Sequence, residues 1–246
     1  MLEVRALSIN SDEKCLVKDL SFDLARGRLT CLIGPSGCGK SSVVKWLSGV
    51  LAKDLLAKGR ARLEGVDLSL PDREIAYQPQ QDTLFPWLSI LENASLGLEI
   101  RGTHKTKARD RLRALFPAFG LAGHENSFPD QLSGGMRQRA AFLRTMVQDT
   151  GVLLLDEPFS ALDAVTRLRM QDWLTRRLDE DPRAVLMVTH DLFEATQIAD
   201  RVLVMAADPG RIIADIPITT PRSDRSETTL AETRSTLKSL LLKETS

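Results

Sequence analysis

Residues 34–42, with the sequence GPSGCGKSS, could bind the polyphosphate of a nucleotide. Glycine lets the backbone curve tightly enough to bring several N–H donors around a phosphate group. Lys40 would supply a positive charge to the β- and γ-phosphates, and the Ser41 hydroxyl would ligate Mg²⁺. We therefore predict a phosphate-binding loop composed of Gly34, Pro35, Ser36, Gly37, Cys38, Gly39, Lys40, Ser41 and Ser42.

The segments on either side of this loop favour the structure that the motif needs. Residues 29–33 form a short apolar run typical of a buried strand, and the apolar residues of 42–48 recur at helical spacing. The start of that helix would add N–H donors and a partial positive charge. Strand, loop and helix together predict nucleotide binding, but they do not distinguish a kinase, a GTPase, a motor and a transporter ATPase.

Two adjacent carboxylates, Asp156 and Glu157, end another apolar run at residues 151–155. Such a run is typical of a parallel strand buried on both faces, and ligands bind at the carboxyl ends of such strands. Asp156 could hold Mg²⁺, and Glu157 could polarise an attacking water. The alternative is that both carboxylates merely cap the strand.

His190 follows a third apolar run, residues 184–189. A single histidine is often structural, but one at the carboxyl end of a central strand faces the ligand site. Ser133, Gly134 and Gly135 begin a further predicted helix and could form a second anion site without a lysine. A simple helix cap explains these three residues equally well.

Taken together, these motifs resemble the ATP-binding subunits of ABC transporters over about residues 1–217. LSGGMRQR at 132–139 matches the signature motif of that family, which is highly specific. The order and spacing of the other motifs also fit: GPSGCGKSS at 34–42, VLLLDEP at 152–158, SALD at 160–163 and the histidine at 190. Gln78 and Gln80 could each be the glutamine that precedes the helical region, and spacing from residues 84–87 favours Gln80.

The resemblance implies that two ATP molecules are sandwiched in a head-to-tail homodimer. The phosphate loop of one copy would face Ser133, Gly134 and Gly135 of the other, and Asp163 would also contact the nucleotide. Glu157 would be the general base, while His190 would touch the γ-phosphate and the attacking water. Mg²⁺ would be held by Ser41, Gln80 and Asp156, and Gln80 would couple the site to a membrane partner.

Residues 84–94, LFPWLSILENA, and PGRI at 209–212 are similar to importers of nitrate, sulfonate and taurine. The resemblance implies integral membrane permease subunits, and an external solute-binding protein, as partners. Phe85 and Trp87 suit a docking surface for a permease helix, although local packing is the alternative. Export, lipoprotein release and envelope remodelling are the competing functions. The family usually has an aromatic residue near position 11 that stacks on adenine, and this chain has none there.

The composition is consistent with this assignment. Lysine plus arginine and aspartate plus glutamate both total 33 in 246 residues, so no overall basic field favours a nucleic-acid partner. Three scattered cysteines indicate neither a disulfide framework nor a zinc site. No apolar run is long enough to span a bilayer and the start lacks a signal-peptide core, so we expect a soluble protein that reaches a membrane only through a partner. The family resemblance then implies a cytoplasmic location, peripheral on the inner face of the cell membrane.

The predicted fold class is α/β: a P-loop NTPase core sheet with an N-terminal antiparallel β subdomain and an inserted α-helical subdomain at about residues 82–150. The ATPase domain would span residues 1–217, followed by a linker and helical tail at 218–246. Within the first part, residues 51–58 show spacing that predicts a short helix or an extension of the preceding one.

Overall fold

A computed structural model describes residues 1–243, in which the chain forms ten strands and seven α-helices. The strands are β1 (Leu2–Asn10), β2 (Cys15–Leu24), β3 (Leu29–Ile33), β4 (Leu56–Leu63), β5 (Val66–Asp67), β6 (Ile75–Gln78), β7 (Val152–Asp156), β8 (Ala184–Val188), β9 (Arg201–Ala206) and β10 (Arg211–Pro217). The helices are α1 (Lys40–Leu47), α2 (Ile90–Ile100), α3 (Lys105–Arg113), α4 (Gly134–Met146), α5 (Ala164–Glu180), α6 (Leu192–Ile198) and α7 (Glu227–Lys243). None of the helices in residues 1–243 is both long and apolar enough to cross a bilayer.

The larger sheet has the strand order β10-β9-β3-β8-β7-β6. Its strands are parallel except for the edge strand β10, which pairs antiparallel with β9. Every residue of β3, β7 and β8 is buried, which explains why these strands are continuous apolar runs. Because the strands are parallel, the loops after β3, β6, β7 and β8 meet at one edge of the sheet, where they can form a single site.

The smaller sheet, with the order β2-β1-β4-β5, is the predicted antiparallel subdomain. Its strand β4 begins at Leu56, so the predicted helix at residues 51–58 is wrong. Leu56 pairs with Asn10 and Ala57 with Ile9. Backbone pairing with β1 therefore determines the conformation of this segment, and it overrides the local helical spacing.

The helices α2, α3 and α4 lie between β6 and β7 in the chain and form the inserted helical subdomain. Helix α3 ends at Arg113, and Phe116 and Phe119 beyond it are fully buried. Phe119 packs against Phe142, with ring centroids 5.9 Å apart. The two sheets and this helical insertion confirm the predicted α/β fold class.

Residues after β10 also pack against the hydrophobic core of the fold. Leu230 and Leu237 of α7 are fully buried in the same hydrophobic cluster as the helical subdomain. In the predicted linker, a 3₁₀ turn forms at Arg222–Asp224. Residues 244–246 of the predicted tail lie outside the described residues, and the domain limits at 217 and 218 stay predictions.

Candidate nucleotide-hydrolysis site

The loop between β3 and α1 has a backbone that requires glycine at two positions. Gly39 has a φ of +97°, and a Cβ atom there would lie 2.6 Å from Cγ2 of Val17. A Cβ atom on Gly34 would lie 2.5 Å from the carbonyl oxygen of Met205. Larger residues would therefore displace the loop from the strands that hold it. The result is an open cradle of backbone at the N-terminus of α1, where phosphate groups are favoured.

Lys40 lies across this cradle. Its Nζ atom donates hydrogen bonds to the carbonyl oxygens of Gly34 and Pro35, each at 2.8 Å. The Sγ atom of Cys38 lies 3.7 Å away. These contacts hold the ammonium group against the loop, and Lys40 as a whole is buried. The loop thus presents one concentrated positive charge to an anionic ligand.

The Ser41 hydroxyl and the Asp156 carboxylate lie together beside the loop. Oγ of Ser41 donates to Oδ1 of Asp156 at 3.1 Å, and Asp156 is almost completely buried. Burial raises the pKa of Asp156, although the bond from Ser41 opposes this shift. A hydroxyl and a carboxylate at this spacing are hard oxygen ligands of the kind that Mg²⁺ takes together with substrate phosphates. The donor set therefore fits Mg²⁺.

Glu157 is held between two polar side chains from separate loops. Its Oε1 lies 3.1 Å from Nδ1 of His190, and its Oε2 accepts a 3.1 Å hydrogen bond from Nε2 of Gln80. Glu157 has a φ of +47°, in the left-handed region that non-glycine residues seldom adopt. Such strain is often found where a side chain must be aimed at a ligand. Gln78 does not take part in this arrangement: it is fully buried, and its side-chain amide has no hydrogen-bond partner in residues 1–243.

The remaining predicted residues are not part of this cluster. Ser133 and Gly134 are exposed, and in residues 1–243 no hydrogen bond joins them or Gly135 to the phosphate loop. The Ser133 hydroxyl accepts from the N–H of Met136 and caps α4. Asp163 is also exposed, caps α5 through the N–H of Thr166, and has its pKa lowered by that hydrogen bond. Within one chain, these side chains therefore act as helix caps.

Gln138 is a contact of the site that the sequence motifs did not single out. Its side chain is buried, and Nε2 donates to the carbonyl oxygens of Pro158 at 3.2 Å and Gln80 at 3.4 Å. It thereby ties the loop that carries Gln80 to the loop that follows Glu157. Its helical spacing with Ala141 and Phe142, both buried, is the signal that could have placed it toward the core.

Comparison with known proteins identifies the family. The model of the ABC transporter family matches residues 17–160. The chain belongs to the ABC transporter family. It is 37% identical over 230 residues to the formylaminopyrimidine import ATP-binding protein ThiZ of Halalkalibacterium halodurans, covering 93% of this chain and 89% of that protein. It is 38% identical over 238 residues to the aliphatic sulfonates import ATP-binding protein SsuB 2 of Burkholderia lata, covering 96% and 85%.

A solved ATP-binding cassette, a dimer in a post-hydrolysis state with ADP and Pi, superposes with a TM-score of 0.79. That match covers 90% of this chain and all of the other at 24% identity, so it supports the fold. The family assignment makes this ABC transporter subunit an ATP-binding and ATP-hydrolysing protein that drives transport. The predicted family and enzymatic activity are thus confirmed.

Proposed function

We propose that this ABC ATPase hydrolyses MgATP to power the import of a small solute through a membrane permease. The position of Glu157 carries the proposal, because its carboxylate lies between Gln80 and His190 and beside Asp156. The direction of transport is supported by the similarity to proteins named as import ATP-binding subunits.

In this proposal the protein acts mainly by positioning and by stabilising charge. The phosphate loop and Lys40 bind the β- and γ-phosphates. Ser41, Gln80 and Asp156 would hold Mg²⁺, and the bound ion would neutralise charge on the phosphate oxygens. Glu157 takes the proton of the attacking water as general base, and His190 orients that water and the γ-phosphate.

A second copy of the chain would complete each site. Ser133, Gly134 and Asp163 are exposed and stand apart from the phosphate loop of their own chain. A head-to-tail dimer would place the start of α4, with its free N–H groups and positive dipole end, against the γ-phosphate of the partner. This arrangement explains why a lysine-free helix start accompanies a complete phosphate loop in the same sequence.

An apolar surface beside Gln80 suits the permease. Trp87 is 70% exposed and its ring lies 5.4 Å from that of Phe85. Phe85 lines a groove together with Val50, Tyr77 and Ile100, and Val50 and Ile100 are also exposed. We call this the docking groove. Its apolar residues, with Arg101 and Arg144 beside them, fit a short amphipathic permease helix, and Trp87, whose ring contacts that of Phe85, would be the anchor.

The proposal includes an external solute-binding protein and a cytoplasmic location on the inner face of the cell membrane. The chain itself would not bind nucleic acid, and solute selection would belong to the other subunits. The second candidate is an ABC ATPase that drives export, lipoprotein release or envelope remodelling. It shares the chemistry of the site, so only the identity of the partners distinguishes the two functions.

The test is a pull-down from detergent-solubilised membranes with Glu157→Gln as bait, in the presence of ATP and Mg²⁺. We expect a multi-span permease together with an external or lipid-anchored solute-binding protein. The same bait carrying Trp87→Ala is the matched control, and it should recover much less permease. Recovery of an exporter subunit, or of DNA or ribosomes, would overturn the import assignment and leave the ATPase chemistry intact.

A further inference from the structure

The helix that follows His190, α6, is short and begins two residues later, at Leu192. Helix α6 has seven residues, and Asp191 is its N-cap. Oδ1 of Asp191 accepts from the N–H groups of Phe193 at 2.8 Å and Glu194 at 3.1 Å. The backbone of His190 is therefore fixed to the first turn of α6, and any shift of this helix moves the imidazole.

A helix of seven residues is only marginally stable by itself, because it forms too few backbone hydrogen bonds to offset the entropy lost when its first turn forms. Its last carbonyl groups also lack partners within the helix. Residues of the C-terminal tail supply those partners. Arg225 donates to the carbonyl oxygens of Gln197 at 2.8 Å and Thr196 at 3.3 Å. Arg222 donates to that of Ile198 at 3.1 Å. Two cations thus lie at the negative end of the α6 dipole.

Arg234 of α7 contacts the side of the same helix. Its Nε donates to Oγ1 of Thr196 at 2.8 Å, and its guanidinium lies 4.4 Å from the centre of the Phe193 ring. The Arg234 side chain is only 11% exposed and is paired with Glu227. It therefore contacts both the first and the second turn of α6. We call Arg222, Arg225 and Arg234 the arginine clamp.

Helix α5 also contacts α6 and its N-cap. Arg167 lies 3.4 Å from Asp191, and Gln171 donates to Glu194 at 2.9 Å. Because these contacts remain when one arginine of the clamp is removed, we expect α6 to shift rather than to unfold. A shift at the end of α6 would alter the 3.1 Å approach of His190 to Glu157.

We propose that the arginine clamp makes Arg222, Arg225 and Arg234 positioning residues for ATP hydrolysis. The clamp holds α6 so that His190 stays in register with Glu157. This inference rests on the role proposed above for His190. It assigns to the C-terminal tail a task in the reaction, although no hydrogen bond joins its residues up to 243 to the phosphate loop or to the two adjacent carboxylates.

The experiment compares Arg225→Ala and Arg234→Ala with Lys238→Ala, a charge-removing change at an exposed position of the same α7. Steady-state hydrolysis gives kcat and KM for ATP in the full-length chain. Since a misplacement of about 1 Å can cost up to about 100-fold in rate, we expect kcat to fall about 10-fold in both clamp variants. KM should stay within about twofold, because the phosphate loop is unchanged.

A conservative variant and a spectroscopic readout separate positioning from general stability. Arg225→Lys keeps a cation at the end of α6 and should recover most of the lost kcat. The chain has three histidines, so the imidazole ¹H resonance of His190 can be assigned with His190→Ala. In Arg225→Ala this resonance should shift, while those of His104 and His124 stay in place. Lys238→Ala should move none of the three.

Unchanged kcat and an unmoved His190 resonance in both clamp variants would overturn the inference. If His190→Ala loses turnover while Arg225→Ala does not, the positioning role of the arginine clamp is wrong and the proposed role of His190 stands. If His190→Ala hydrolyses ATP at the wild-type rate, that role fails first, and the inference fails with it. If Arg225→Ala does not fold, Arg225→Gln replaces it, because its amide keeps one donor for the carbonyl oxygen of Gln197. The kcat and the His190 resonance of that variant then decide in the same way.

Discussion

Glu157→Gln should abolish steady-state hydrolysis while ATP binding persists. Both carboxylate oxygens of Glu157 are engaged at 3.1 Å, one with Gln80 and the other with His190. Glutamine keeps the size and one acceptor oxygen, so the contact with Gln80 can remain. The variant has no carboxylate to take a proton from water. Removing a general base costs about 10²–10⁴-fold in rate, which is about 2.7–5.4 kcal/mol in the barrier.

The phosphate loop and the pair formed by Ser41 and Asp156 are unaltered in this variant. ATP affinity, measured by nucleotide titration with Mg²⁺, should therefore stay close to that of the wild type. Light scattering should show a dimer that forms with ATP and persists, because the nucleotide is not consumed. Glu232→Gln, the same chemical change on the surface of α7, is the control and should hydrolyse ATP normally. Phosphate release from Glu157→Gln at a near wild-type rate would refute the reasoning.

Three further predictions concern other parts of the chain. Because burial raises the pKa of Asp156, ionising it costs folding free energy at neutral pH, and Asp156→Asn should raise the Tm of the nucleotide-free protein at pH 7. The gain should shrink as the pH is lowered toward about 4, the ordinary aspartate pKa, and a pH-independent gain would contradict this. The side-chain amide of buried Gln78 has no hydrogen-bond partner in residues 1–243, so its burial costs folding free energy. Gln78→Met should therefore raise the Tm by about 2–4 °C, and a lower Tm would contradict this prediction. Trp87→Ala should weaken permease recovery by about 30-fold, as expected for an interface hot spot of about 2 kcal/mol, and should leave ATP affinity unchanged. A loss of ATP affinity with normal permease recovery would contradict the docking groove.

Sequence patterns predicted correctly the segments in which every residue is buried. The strands β3, β7 and β8 are apolar at every position because both faces are covered, so their sequences alone indicate their structure. The error at residues 51–58 has the opposite cause. Leu56 and Ala57 are a strand because β1 offers them backbone partners, and pairing between distant segments leaves little trace in local spacing.

The residues of the site also divide into those that one segment of the sequence reveals and those that depend on contacts between distant segments. The phosphate loop and the two adjacent carboxylates are contiguous motifs, so their chemistry could be predicted from neighbouring residues. The contacts of Gln138, Arg222 and Arg225 could not, because each donates to a backbone carbonyl in a distant segment, and the sequence does not show which carbonyl that is. The roles of Asp156 and Glu157 also depend on the fold. One is almost completely buried beside Ser41, whereas the other turns away with a left-handed φ toward His190.

The loop at residues 80–87 links hydrolysis to the proposed docking groove. At one end, Gln80 contacts Glu157, and at the other, Phe85 and Trp87 form the exposed aromatic pair. Its middle is held by α4, because Arg137 pairs with Asp82 at 3.0 Å, and Arg144 donates to the carbonyl oxygen of Asp82 at 2.9 Å. The same helix begins at the residues proposed to meet the partner's γ-phosphate. A permease helix that moved the aromatic pair would therefore act on Gln80 and on α4 at once, and ATP bound between two copies would act on the aromatic pair by the reverse route.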